Sequence, residues 1–182
     1  MQFTTAKLKK TASMISGPYL ALAALVLVCS LTSDVFLSLS NLLNISRQVS
    51  YSGIIALGMT LVIIAGGIDL SVGSLFALAG VAAAVAMQSW SAPFATATGL
   101  YPDTAGIIIG VVVSMVVSLL GAAANALIIV YGKLPPFIAT LGTLSIFRSM
   151  ALFLADSGTI SVGNASLNAA GGAEVLGIPL PA

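Results

Sequence analysis

The sequence predicts an all-α protein: a polytopic transmembrane helix bundle with about five spanning helices and a cytoplasmic N-terminus. Three observations predict it. Of 182 residues, 59% are apolar and only 6% are charged, with Lys and Arg contributing 6 and Asp and Glu 5. A soluble domain carries roughly 25% charged residues to keep its surface wet, so this chain cannot be a soluble globule of its size. The apolar residues are gathered into long runs, and the mean hydropathy is +1.15. Finally, Lys7, Lys9, Lys10 and Lys133 fall on one side of the alternating spans and only Arg47 among the loop cations on the other, which places the N-terminus inside.

A spanning helix needs ~20 mostly apolar residues. The runs that meet or approach this are 15–31, 49–64, 70–87, 105–131 and 137–155, so 15–155 forms the transmembrane region. Residues 1–14 are then a cytoplasmic tail, and 156–182 a periplasmic loop rich in Gly, Asn, Ser and Ala. The first run also has the form of a signal peptide. A cleavage site needs small residues at −3 and −1, however, and Val26 and Val28 precede Cys29, so the run is read as a retained helix. Residues 34–48 place apolar side chains at 35, 36, 39, 42, 43 and 45. This leaves two readings open, an interfacial amphipathic helix or a polar loop. Residues 88–104, with Pro93, Gly99 and Pro102, are expected to be an exposed loop. The chain stops at Gly177-Ile178-Pro179-Leu180-Pro181-Ala182, which reads as the approach to another helix and predicts the front part of a longer protein.

Several function classes are excluded or left without support. There is no histidine, the single cysteine is Cys29, and no second carboxylate stands near Asp69, so no catalytic residue and no metal site are predicted. No Gly-x-x-x-x-Gly-Lys-Ser/Thr loop occurs, so ATP is not bound by that route. No basic, aromatic-interleaved patch points to nucleic acid.

Mechanistic signals concentrate between the second and third runs, in Gly58-Met59-Thr60-Leu61-Val62-Ile63-Ile64-Ala65-Gly66-Gly67-Ile68-Asp69-Leu70-Ser71-Val72-Gly73-Ser74. Gly66 and Gly67 can end a helix by adopting positive φ, and Gly73 adds a third helix-breaking residue. Asp69 or Ser71 can accept bonds from the free N–H groups that open the next helix. Such a break in lipid survives only where protein or a wet cavity shelters it. Asp69 is therefore either a helix cap or a group that lines or gates a path.

In the fourth run small residues recur every four positions, at Gly106, Gly110, Ser114, Ser118, Ala122 and Ala126. They predict a helix-packing seam, within the fold or between subunits. Asn125 is read as interhelical glue or a substrate contact. Thr140, Thr143 and Phe147 share a face of the fifth run, where the hydroxyls bond either to their own helix or to a hydroxylated solute. Arg148 is placed to snorkel toward the surface.

These motifs carry a resemblance. The string from Gly58 to Ser74, the preceding Asn41-Leu42-Leu43-Asn44-Ile45-Ser46-Arg47-Gln48-Val49-Ser50, and Gly132-Lys133-Leu134-Pro135-Pro136-Phe137-Ile138-Ala139-Thr140-Leu141-Gly142-Thr143 with Arg148 resemble the permease subunits of bacterial ATP-binding-cassette importers for ribose, xylose, arabinose and galactose. The likeness covers about residues 35–155. It implies an inner-membrane permease that performs no chemistry itself and binds no cofactor. A second permease subunit, identical or different, would complete the channel. A cytoplasmic ATP-binding subunit would consume the ATP, and a periplasmic sugar-binding protein would deliver a monosaccharide. Members of that family are nearly twice as long, and their later half holds the segment that docks on the ATPase. Candidates for lining or gating the path are Thr60, Asp69, Ser71, Asn125, Thr140 and Thr143. Two competing readings remain: a secondary transporter or channel component that uses no ATPase, and a truncated remnant or scaffold without transport.

Overall fold

The computed structural model describes the backbone of residues 2–172, 174–175 and 178–179, and the side chains of residues 17–169. Its helices are α1 (Gln2–Thr32), α2 (Leu39–Ile64), α3 (Val72–Thr98), α4 (Pro102–Val130), α5 (Pro136–Leu154) and α6 (Ala165–Gly172). Two strands of two residues each, β1 (Glu174–Val175) and β2 (Ile178–Pro179), pair antiparallel. Helices α2 to α5 are long and apolar enough to cross a membrane, and the described apolar part of α1 is the shorter Gly17–Thr32. The all-α bundle predicted from the sequence is therefore the fold observed.

Packing divides the chain into two units, residues 1–50 and 51–181. In the first, a turn after α1 is held by Asn41, whose Nδ2 donates to the Phe36 carbonyl at 2.7 Å. Residues 39–48 are helical and run on without interruption into the rest of α2.

In the second unit, α3 packs against α4 and α5. The core is Leu78, Phe147 and Ala151, with Leu75, Val81 and Val117 against it. Large apolar side chains on the other faces, such as Phe76, Leu119 and Ile146, are exposed. Lipid is as apolar as they are, so nothing drives them inward.

Three sequence expectations need correction. Residues 88–104 are not a loop: α3 continues through Pro93 to Thr98, and only residues 99–101 connect it to α4. Pro93 removes one N–H donor. Ser91, Thr96 and Thr98 each donate a hydroxyl to the carbonyl four residues earlier, those of Met87, Ala92 and Phe94. Gly99, at φ 72°, ends the helix and Pro102 opens the next. Gly73 does not break a helix either, because it lies in the first turn of α3 and has ordinary φ. Residues 156–182, expected to be loop, contain α6, whose N-terminus is capped by Asn164 Oδ1 accepting from the Leu167 N–H at 2.8 Å.

The end of α2 follows the expected chemistry at one glycine of the two. Gly66 has φ 81°, whereas Gly67 stays at negative φ. The Gly67 N–H donates to the Val62 carbonyl and the Gly66 N–H to the Ile63 carbonyl, both at 2.9 Å. That pair of bonds is the Schellman motif, which satisfies the last carbonyls of the helix. Gly66→Val is expected to cost about 1–2 kcal/mol through the left-handed conformation alone, measured as a lowered unfolding midpoint in detergent. Gly67→Ala meets Val62 Cγ1 at 3.3 Å without that penalty and should cost less.

Candidate functional site

The connector between α2 and α3 is where polar side chains from distant parts of the sequence meet. Asp69, half-buried, turns back on itself: its Oδ1 accepts from the Ser71 N–H and from the Ser71 hydroxyl, each at 2.7 Å. Ser71 occupies the N-cap position of α3 and is completely buried. Its hydroxyl is committed to Asp69, so it makes no side-chain cap to the helix. The capping expected of Asp69 thus falls on the N–H of Ser71 rather than on the first helical N–H groups.

Two helices reach this connector. From α4, Asn125 Nδ2 donates to Ser71 Oγ at 2.7 Å. From α5, the Thr140 hydroxyl stands 2.8 Å from the Pro136 carbonyl and 3.2 Å from the Ile68 carbonyl, so it bridges its own helix and the connector. Asn125, Thr140 and Thr143 are all buried. Asn125 Oδ1, also buried, has no hydrogen-bond partner among the described residues. The relay runs from Asn125 Nδ2 to Ser71 Oγ and from the Ser71 hydroxyl to Asp69 Oδ1. Bonds between buried polar groups fix geometry, because breaking one leaves a donor in apolar surroundings.

Four of the six path candidates are therefore joined: Asp69, Ser71, Asn125 and Thr140. Thr143 sits one turn from Thr140 and bonds within α5, to the Ala139 and Thr140 carbonyls at 3.3 Å. Thr60 stands apart, exposed on α2 with its hydroxyl on the Ala56 carbonyl.

The small-residue stripe follows the helix rather than strict spacing by four. Gly106 and Gly110 are buried against α3, where an added Cβ would lie 2.9 Å from Ser91 Oγ and 2.7 Å from Met87 Sδ respectively. Ser114 and Ser118 are half-buried and line an apolar groove of about 910 Å³ with Phe76, Ala79 and Gly80. Ala122 and Ala126 are exposed. Steps of four residues turn about 40° too far each time, because a turn takes 3.6 residues. The seam therefore continues through Gly121 and Asn125 instead, both buried.

Arg148 is exposed on α5, beside a groove of about 510 Å³ lined also by Leu70, Ser74 and Leu144. Sequence reasoning missed a second polar cluster, formed by Gln88, Asp103, Asn164 and Ser166 at the α3–α4 turn. The signal was Asp103 directly after Pro102, a usual way to open a helix.

Long apolar helices, a break between two of them and polar bonds tying that break to two more define a multi-pass membrane protein. The chain belongs to the family described as branched-chain amino acid transport system / permease component, whose pattern spans residues 41–173. It is 40% identical over 168 residues to the ribose import permease protein RbsC of Bacillus subtilis (strain 168), covering 91% of this chain and 48% of that protein. It is 35% identical over 187 residues to RbsC of Escherichia coli (strain K12), covering 98% of this chain and 51% of that protein. The xylose transport system permease protein XylH of the same strain is 33% identical over 154 residues, with 83% of this chain and 35% of that protein covered. The chain thus spans about half the length of the ribose relatives. No solved structure matches it. Family and helices together make it a multi-pass inner-membrane protein.

Proposed function

We propose that this chain supplies transmembrane helices to the permease of an ATP-driven importer that carries a monosaccharide across the inner membrane. The observation that carries this reading is the alignment of ribose and xylose permeases along 83% to 98% of the chain. A second permease subunit, a cytoplasmic ATP-binding subunit and a periplasmic sugar-binding protein would complete the machine, with ATP hydrolysed on the partner. The N-terminus lies in the cytoplasm, as the lysine distribution favours. Alternation of the spans then puts the Asp69–Ser71–Asn125 relay near the cytoplasmic face and the α3–α4 turn near the periplasmic face. In this reading Asp69, Ser71, Asn125 and Thr140 hold a gate-forming helix break, while Thr60 and Thr143 are candidate lining residues. Coupling proceeds by rigid movements of helices that alternate access.

The test is reconstitution of the whole permease with its ATPase and binding protein in liposomes. Labelled ribose or xylose should accumulate only with ATP and stop with vanadate. Accumulation that continues without ATP and follows a sodium or proton gradient would replace this reading with a secondary transporter.

A further inference from the structure

The segment that follows α5 crosses back to the α3–α4 turn and is fastened there. Gln88 Nε2 donates to the Ser161 carbonyl at 2.9 Å. Asn164 Nδ2 donates to the Asp103 carbonyl at 2.8 Å. The N–H and the hydroxyl of Ser166 both stand 3.1 Å from Asp103 Oδ2. Three of these four fastenings end on Asp103.

Beneath the segment lies a cavity of about 320 Å³, lined in part by Met87, Gln88, Ser91, Asp103, Gly163 and Asn164. The segment contributes little apolar burial of its own: Thr159, Ser161, Gly163 and residues 165–169 are exposed, Leu167 to 40%. At its start, Asp156 and Ser157 have φ 48° and 56°, a conformation that side chains other than glycine resist.

We infer that residues 158–172 form a strap latched over this cavity by Asp103, which opens by releasing Asp103 and relaxing at Asp156–Ser157. Two features make opening accessible. Segments held by exposed polar bonds rather than by core packing occupy the low-stability end of a fold. The hinge, moreover, is strained when the strap is closed and relieved when it opens. Open, the strap gives water-soluble molecules a polar pocket whose volume is at the small end of ligand sites. The inference stands on geometry alone and does not depend on the proposed transport activity.

The test needs no transport. In the full chain in membranes, with Cys29→Ser as background, Ser91→Cys places one thiol in the cavity wall. Its reaction with a membrane-impermeant methanethiosulfonate reagent reports opening. With Asp103 present the rate should be well below that of an exposed reference, Thr98→Cys. Asp103→Ala should raise it about tenfold, since bonds to a charged group are lost. Ser157→Gly, which leaves the latch intact and relaxes the hinge, should slow it about threefold by stabilising the closed form. A rate at Ser91→Cys equal to the reference, or one unmoved by Asp103→Ala and by Ser157→Gly, would overturn the inference.

Discussion

Gly121→Leu is expected to destabilise the folded chain by about 1–3 kcal/mol, whereas Ala122→Leu, one residue further on, should stay within about 0.5 kcal/mol. A Cβ at Gly121 would overlap the Leu75 side chain, whose Cδ2 would stand at 3.1 Å. Leu75 is itself packed against the core of Leu78, Phe147 and Ala151, so it has little room to yield. Ala122 faces outward and is exposed, where a larger apolar side chain meets only lipid. Unfolding of the two variants by titration with a denaturing detergent decides the matter. Equal loss at both positions would mean that the α3–α4 seam is not where the structure places it.

Asp69→Leu is expected to cost about 1–3 kcal/mol, because it strands the N–H and hydroxyl of the fully buried Ser71. Asp69→Asn retains an acceptor in the same place and should cost much less. The discriminating measurement is a double-mutant cycle. Once Asp69 is removed, nothing orients the Ser71 hydroxyl toward Asn125, so Asn125→Ala should be less damaging in the Asp69→Leu background than alone. The coupling should fall in the range of about 0.6–1.7 kcal/mol measured for interhelical bonds in membranes. Purely additive losses would show that the relay does not act as a unit.

Much of this fold was legible because lipid solvation leaves a coarse record. Runs such as 49–64 and 137–155 lie almost wholly inside α2 and α5. Gly66 was readable as a helix end because only glycine adopts its φ cheaply. Helix ends set by tertiary context were not. Pro93 carries the same signal whether it breaks a helix or is accommodated in one, and here α3 runs through it. The candidate relay was half legible. Asp69, Ser71, Asn125 and Thr140 were each conspicuous as polar residues in apolar surroundings. That they meet across 54 and 72 residues of sequence depends on how α4 and α5 are rotated, and periodicity does not encode that rotation. The seam on α4 was predicted from a strict interval of four, which loses the correct face after three turns. The strap was invisible because its residues are polar, short and without period. Gly, Asn and Ser in that order read as loop, although Asn164 caps a helix there.

No residue of α2 from 51 to 64 is buried within the unit this stretch shares with α3 to α5, although α2 ends directly at the Asp69 relay. Within that unit α2 contributes residues 51–64, a rod about 21 Å long at the standard rise, free along its sides and held at its end by the turn at Gly66 and the clasp at Asp69. A sideways push anywhere on it arrives as torque at that end, and the lever ratio grows with distance from that fulcrum.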